Sequence, residues 1–242
     1  MKCVVALDLS EKPGFAIYHD GKLIRSGTIF NEWKKADLGP YPFNYLEAAY
    51  KVVESISQQV LYEQFDLKPE SLDIVCEETT ASQNNYSQKS IEFIHYRLAE
   101  FVKNLRNISN INIHYVRTGI WRGKVGAVQT KEERNYNAKI SRQKKKKKEA
   151  FLKENPGVEK VPSFRAKLDV DGSGKAKVVR RLDEKDYALR VVKERFGLEL
   201  TYEQNDQADA ICLGLAFIEG CPTCDGTTDG GLNPKIDDAE NN

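Results

Sequence analysis

The chain has 242 residues, 40% of them hydrophobic and 30% charged, which suits a globular protein with a very polar surface and one large core or two small ones. No apolar run approaches the length of a helical membrane span, so the composition excludes that class. The formal net charge of +1 hides an asymmetry: residues 117–181 hold 20 Lys and Arg against 7 Asp and Glu, so the rest of the chain carries −12. Positive charge concentrated in this way suits an anionic partner.

The first stretch, KCVVALDLSEKPGFAIY, sets the frame. Residues 3–7 are an unbroken apolar run rich in β-branched side chains, which predicts a central strand covered on both faces. The run stops at Asp8. Lys12-Pro13-Gly14 turns the chain, residues 15–18 begin a second strand, and residues 22–30 alternate as a third. With the N-terminus entering the first strand directly, no signal or transit peptide is expected, and the protein is expected to stay in the compartment where it is made, the cytoplasm.

Residues 31–42 are a predicted loop. Leu46, Tyr50, Val53, Ile56 and Val60 predict a helix over 43–60 with one buried face. Residues 73–76 form a short fourth strand ending in Glu77 and Glu78. A polar loop over 79–88 follows, then a helix over 89–105 with Ile91, Ile94, Leu98, Phe101, Val102 and Leu105 on one stripe. Residues 111–116 are a fifth strand. Residues 117–181 show little apolar periodicity and include five consecutive lysines. A solvated helix over 131–153 is conceivable there, but like charges four apart oppose it, so about 127–181 is expected to be a basic insertion that stays flexible without a partner. Helices return at 184–196 and 205–218, with Asn205 as an expected N-cap.

Five cysteines are present. Cys3, Cys76 and Cys212 fall in apolar elements, as core thiols of a reducing compartment do. Cys221 and Cys224 form one CxxC in a Gly- and Asp-rich tail, without the second pair that a zinc site needs.

The element order predicts an α/β fold: a mixed five-stranded sheet, three antiparallel strands and then two parallel, with helices on both faces. In the right-handed arrangement the first and fourth strands are parallel neighbours, so Asp8 and Glu77 end at one edge. Asp206 and Asp209, three apart, share one face of the last helix. Asp206 also suits a helix N-terminus electrostatically, whereas Asp209 leads into the apolar run Ala-Ile-Cys-Leu-Gly-Leu-Ala. Four carboxylates at one edge repel one another unless a cation intervenes. Mg²⁺ prefers such oxygen ligands, and two such ions about 4 Å apart can activate water against a phosphodiester.

The pieces ALDLSEKPGFAIY, DIVCEETT and NDQADAICLGLA, in this order, resemble the RuvC-type Holliday-junction resolvases of the ribonuclease-H-like superfamily. The resemblance covers roughly residues 1–126 and 183–220. It implies a ribonuclease-H-like nuclease domain over 1–220, interrupted by the insertion; the acidic residues 221–242 beyond it are expected from their composition to be a disordered tail. It implies catalytic, metal-holding acids at Asp8, Glu77, Asp206 and Asp209, with Glu78 as the alternative to Glu77. Two Mg²⁺ per subunit (or Mn²⁺) and a homodimer through helix 89–105 are also implied. Arg122, Lys124 and Lys185 occupy places comparable to the family's DNA-contacting cations. The family's aromatic wedge past the strand Glu is replaced by Thr79, Thr80 and Ala81, and the first aromatic is Tyr86. Lys144, Lys145, Lys146, Lys147 and Lys148 suit general phosphate attraction, and Trp121, Tyr136 and Phe164 suit stacking on unpaired bases. The expected function is a metal-dependent endonuclease that resolves four-way DNA junctions by paired symmetric nicks, leaving 5′-phosphate ends. The alternatives are a nuclease for RNA or other branched DNA, an actin-like-fold kinase, and a non-catalytic DNA-binding module.

Overall fold

The computed structural model describes residues 1–78, 85–105 and 110–224, with backbone alone for 85–87. Five strands, β1 (Lys2–Asp8), β2 (Gly14–His19), β3 (Lys22–Thr28), β4 (Ser71–Glu77) and β5 (Ile111–Val116), form one sheet in the order β3-β2-β1-β4-β5. β1–β2 and β2–β3 are antiparallel, while β1–β4 and β4–β5 are parallel. This is the mixed five-stranded sheet expected from the element order, with β1 at its centre.

The apolar run in β1 is unbroken because both its faces are covered. Cys3, Val5 and Leu7 enter one core, beneath α1 (Phe43–Ile56) and α3 (Asn85–Leu105). Val4 and Ala6 enter the other, with residues of α4 (Thr118–Val125), α6 (Glu184–Phe196) and α7 (Asn205–Ile218). α1 stops at Ile56 and continues as a wider π-type turn over Ser57–Leu61 and the short α2 (Tyr62–Asp66). Tyr45, Ala48, Ala49, Val52, Val53 and Ile56 are its buried positions, whereas Leu46 and Tyr50, expected inward, are 39% and 47% exposed. The small alanines carry the contact, and the two large side chains are left at the rim of the α1–α3 groove.

Residues 117–181 depart most from expectation. α4 was not anticipated; it ends at Gly126, whose φ of 78° is the left-handed conformation that glycine adopts without strain. Lys131–Glu154 is one continuous helix, α5, despite its like charges. A capping box starts it: Thr130 Oγ1 accepts from the Glu133 amide at 3.2 Å, and Glu133 Oε2 accepts from the Thr130 amide at 2.8 Å. A small hairpin, β6 (Ala166–Leu168) and β7 (Lys177–Val179), backs it. The CxxC is likewise not loose: Cys221 is 5% exposed, and the Cys224 amide donates to the Tyr115 carbonyl at 2.7 Å, extending the β5 edge. The acidic tail beyond Cys224 and the loop with Thr79, Thr80 and Ala81 lie outside the described residues, as does the Tyr86 side chain. Among the described residues, no helix is long and apolar enough to cross a membrane.

Candidate active site

Asp8 is the last residue of β1 and Glu77 the last of β4. The parallel register pairs Leu7 with Cys76, so the two acids follow at the same level of the sheet. Asp8 also pairs across the hairpin with Gly14. That glycine lets α7 in: a Cβ on Gly14 would stand 1.9 Å from the Asp206 carbonyl oxygen. Farther along, a Cβ on Gly214 would stand 2.5 Å from the Tyr18 ring and 3.0 Å from the Ala6 methyl. The Tyr18 hydroxyl donates to the Ile211 carbonyl at 2.7 Å, and Gln207 Nε2 donates to Ser26 Oγ at 3.0 Å. These contacts lay the start of α7, with Asp206 and Asp209, directly on the β1–β2 hairpin. Asn205 is not the cap expected of it. It is the first helical residue after a 3-10 turn over Tyr202–Gln204, and its Nδ2 donates back to the Tyr202 carbonyl at 3.0 Å.

The acids sense one another. Burial, and then Asp209, Asp206 and Glu77, push the Asp8 carboxyl well above the usual carboxylate range, while Arg122 opposes the shift. Burial pushes Asp209 up to about 6; Arg122 opposes this, and Glu77 and Asp206 add to it. Burial also raises Asp206, with Lys185 opposing. Glu77 is held on both oxygens: Oε1 accepts from Thr118 Oγ1 at 2.6 Å and Oε2 from Trp121 Nε1 at 2.9 Å. Glu78 is engaged elsewhere, its Oε2 accepting from Arg117 Nε at 3.0 Å and from the Cys224 thiol at 3.5 Å. Glu77, not Glu78, therefore appears among the charges acting on Asp8 and Asp209.

The cations divide into separate groups. Arg122 is only 9% exposed; its Nη2 donates to Asp209 Oδ2 at 3.0 Å and its Nη1 to the Glu184 carbonyl at 3.1 Å. It is a counter-charge inside the acid cluster rather than a surface cation. Lys124 is exposed on the same helix. Lys185 is half-buried, its ammonium 5.9 Å from the centre of the Tyr202 ring. The five lysines lie along the middle of α5, which is anchored to α6 and the β6–β7 hairpin. Trp121 is fully buried with its indole on Glu77, so it offers no face to a base, and Phe164 packs against Phe151 at 5.8 Å. Thr118 was missed as a site residue, and Trp121, expected to stack on bases, instead holds Glu77. Their segment looks like part of a basic stretch, and nothing in its spacing marks the side that meets Glu77.

The donor chemistry suits a hard divalent cation. All four acids offer oxygen, Asp209 Oδ1 is buried without a hydrogen-bond partner, and burial followed by repulsion from the other acids disfavours ionisation of Asp8. In this conformation, among the described residues, no three Asp, Glu, His or Cys side chains converge closely enough to hold a metal ion. The positive charge beside Asp209 is the Arg122 guanidinium.

Sheet order and site together define an α/β protein with a mixed five-stranded sheet and carboxylates at the ends of its central parallel strands. No protein-family model matches the sequence, and no curated protein matches it. Solved structures do. Thermus thermophilus RuvC in complex with a Holliday junction substrate is similar at TM-score 0.48 and 11% identity, over 89% of this chain and 92% of that one. Another structure of Thermus thermophilus RuvC gives TM-score 0.46 and 11% identity over 88% and 92%. The yeast mitochondrial Holliday junction resolvase Ydc2 gives 0.38 and 10% over 89% and 77%.

Proposed function

We propose that the chain is a structure-selective endonuclease that resolves four-way DNA junctions, with Asp8, Glu77, Asp206 and Asp209 as its catalytic acids. The observation that carries this reading is geometric: the parallel β1–β4 register ends Asp8 and Glu77 at one level of the sheet, and the close fit of Gly14 to the Asp206 backbone lays the start of α7 beside them. Two Mg²⁺ ions (or Mn²⁺) held by these four acids would supply activation of a water and stabilisation of the leaving oxygen, giving 5′-phosphate and 3′-hydroxyl ends. The protein's own groups do the rest. Thr118 and Trp121 fix the orientation of Glu77. Arg122 must release Asp209 if that carboxylate is to take up a metal, and the Glu184 carbonyl and carboxylate beside it offer the guanidinium another resting place. Lys124 and Lys185 would sit against the charge of the scissile phosphate. A homodimer through α3 would present two such sites to the junction; Leu46, Tyr50 and Tyr96, exposed along the α1–α3 groove, suit such a contact.

The test is cleavage of a synthetic four-way junction, with a flap, a linear duplex and an RNA hairpin for comparison, in Mg²⁺ or EDTA. We expect paired, symmetric nicks with 5′-phosphate ends in Mg²⁺ and none in EDTA. Asp8→Asn should abolish cutting yet keep junction binding. Cutting by that variant at the wild-type rate would remove the site assignment, unpaired nicks would remove the dimer, and preference for the hairpin would move the substrate to RNA.

A further inference from the structure

The fold holds a row of like charges on a rigid rod. Between Lys139 and Lys148, α5 carries seven cations and no acid. Pairs such as Arg142 with Lys146 and Lys144 with Lys148 stand four apart, an arrangement that costs a helix a few tenths of a kcal/mol each. The opposite side of the helix offsets this. Ile140 is fully buried and Asn137 is 3% exposed. Gln143 donates to the Lys167 carbonyl at 2.9 Å and accepts from the Lys167 amide at 3.1 Å. Lys147 Nζ donates to the Arg165 carbonyl at 2.7 Å, and Phe151 stacks against Phe164. With that side pinned to the β6–β7 hairpin, Lys139, Arg142, Lys145, Lys146 and Lys148 are all exposed. Lys145 shares its charge with Glu149 at 3.8 Å; among the described residues, no carboxylate pairs with Arg142, Lys146 or Lys148.

We propose that this arm, α5 backed by the β6–β7 hairpin, is a second nucleic-acid surface that grips the phosphate backbone of duplex DNA independently of the carboxylate cluster. At 1.5 Å per residue, residues 139–148 extend about 14 Å, against roughly one duplex charge per 1.7 Å of axis. A rigid, single-sign row of that length meets several phosphates at once and is blind to sequence. The exposed positions 141, 142, 145, 146 and 148 hold no apolar residue, so this face lacks the hydrophobic stripe by which an amphipathic helix enters a membrane surface. The inference rests on the proposed nuclease reading for its choice of DNA, but its test does not pass through catalysis.

The experiment is fluorescence-anisotropy binding of a labelled linear duplex and a labelled four-way junction, in EDTA, from about 50 to 200 mM salt, where phosphate contacts are most salt-dependent. The variant carries Arg142→Gln, Lys145→Gln, Lys146→Gln and Lys148→Gln together, which spares Lys147 and the pinned side. Each lost phosphate contact lowers the slope of log K against log salt by roughly 0.9, so a loss of about 3 to 4 is expected on both DNAs. A second variant with Lys145→Arg, Lys146→Arg and Lys148→Arg should keep the wild-type slope. Circular dichroism of the Gln variant should show helix content unchanged, so that a lost slope is a lost contact. Wild-type binding with the slope unchanged in the Gln variant overturns the arm and leaves the nuclease reading standing. A variant that loses affinity for poly-glutamate but not for DNA overturns it in favour of an acidic protein partner. Asp8→Asn, which alters the carboxylate cluster alone, should keep the wild-type slope in the same assay; a lowered slope in that variant would overturn the independence of the two surfaces.

Discussion

At Asp8, burial and three carboxylates oppose ionisation while Arg122 favours it. A carboxyl whose folded pKa lies above its unfolded value holds its proton longer in the native state, so its contribution to stability is full at low pH and is lost as pH rises through the folded pKa. Asp209 behaves in the same sense, in a window from its ordinary 3.8 up to about 6. Asp8→Asn removes the ionisable group while keeping its shape. In EDTA the variant should therefore melt higher than the wild type at pH 8, by at least about 2 °C, the shift that roughly 1 kcal/mol gives a chain of this size. The gap should close as pH falls towards about 4, where both side chains are neutral. Equal melting temperatures at pH 8 would mean that Asp8 carries no electrostatic penalty and that the acids are not coupled. Sites that trade stability for chemistry behave in this way. Asp8 and Glu77 were legible because each ends an apolar strand. The role of Arg122 was not, since an arginine in a basic stretch gives no sign in sequence that it turns inward.

The last helix reaches the site because of what is missing from two positions. Gly14 and Gly214 remove the Cβ atoms that would collide with the Asp206 backbone and with Tyr18 and Ala6. At Gly14 the obstructing atoms are backbone, so the helix itself would have to move. Gly14→Ala is expected to cost on the order of 1–3 kcal/mol, the usual range for overpacking, and to displace Asp206 from Asp8. Gly123→Ala, in α4 with nothing within 4 Å of the added methyl, should instead gain about 0.5–1 kcal/mol of helix stability. Urea unfolding of the two variants reads the contrast, and a neutral Gly14→Ala would mean that α7 does not rest on the hairpin. Element periodicity explains what could be read in advance. α6 and α7 have apolar stripes and match the expected 184–196 and 205–218 at both ends. α5 has a polar seam, in which Asn137 and Gln143 do the work that leucines do elsewhere, so its periodicity is invisible to a hydrophobic pattern.

Across the whole molecule, two kinds of cohesion meet. The sheet and its covering helices share two apolar cores, whereas two polar side chains, Arg190 on α6 and Asn137 on α5, clasp the two ends of the arm to that body. Its entry is held by Arg190, which donates to the Gly126 carbonyl at 3.2 Å and the Val128 carbonyl at 2.9 Å and pairs with Glu133 at 2.9 Å. Its exit is held by Asn137, whose side-chain amide donates to the Leu182 carbonyl and accepts from the Leu182 amide, each at 2.8 Å. Stability under such an arrangement is not uniform: a unit fastened by a few hydrogen bonds opens at lower free energy than the cores. The charge asymmetry seen in the sequence thus corresponds to an ordered helix and hairpin rather than to a formless insertion. Asn137→Ala strands the Leu182 amide, a loss of about 1–3 kcal/mol for a buried unpaired group, and leaves the Leu182 carbonyl only the Tyr187 hydroxyl at 3.2 Å. Amide hydrogen exchange should then quicken through α5 and the β6–β7 hairpin while β1 and β4 keep wild-type protection. Exchange that quickens equally in β1 and β4 would show the arm and the sheet to unfold as one. Exchange unchanged everywhere would show that the arm is held by something other than this amide clasp. The two-variant form of the experiment, adding Glu133→Gln, separates the ends: loosening α5 from its start without freeing Leu182 would assign the entry to Arg190 and the exit to Asn137.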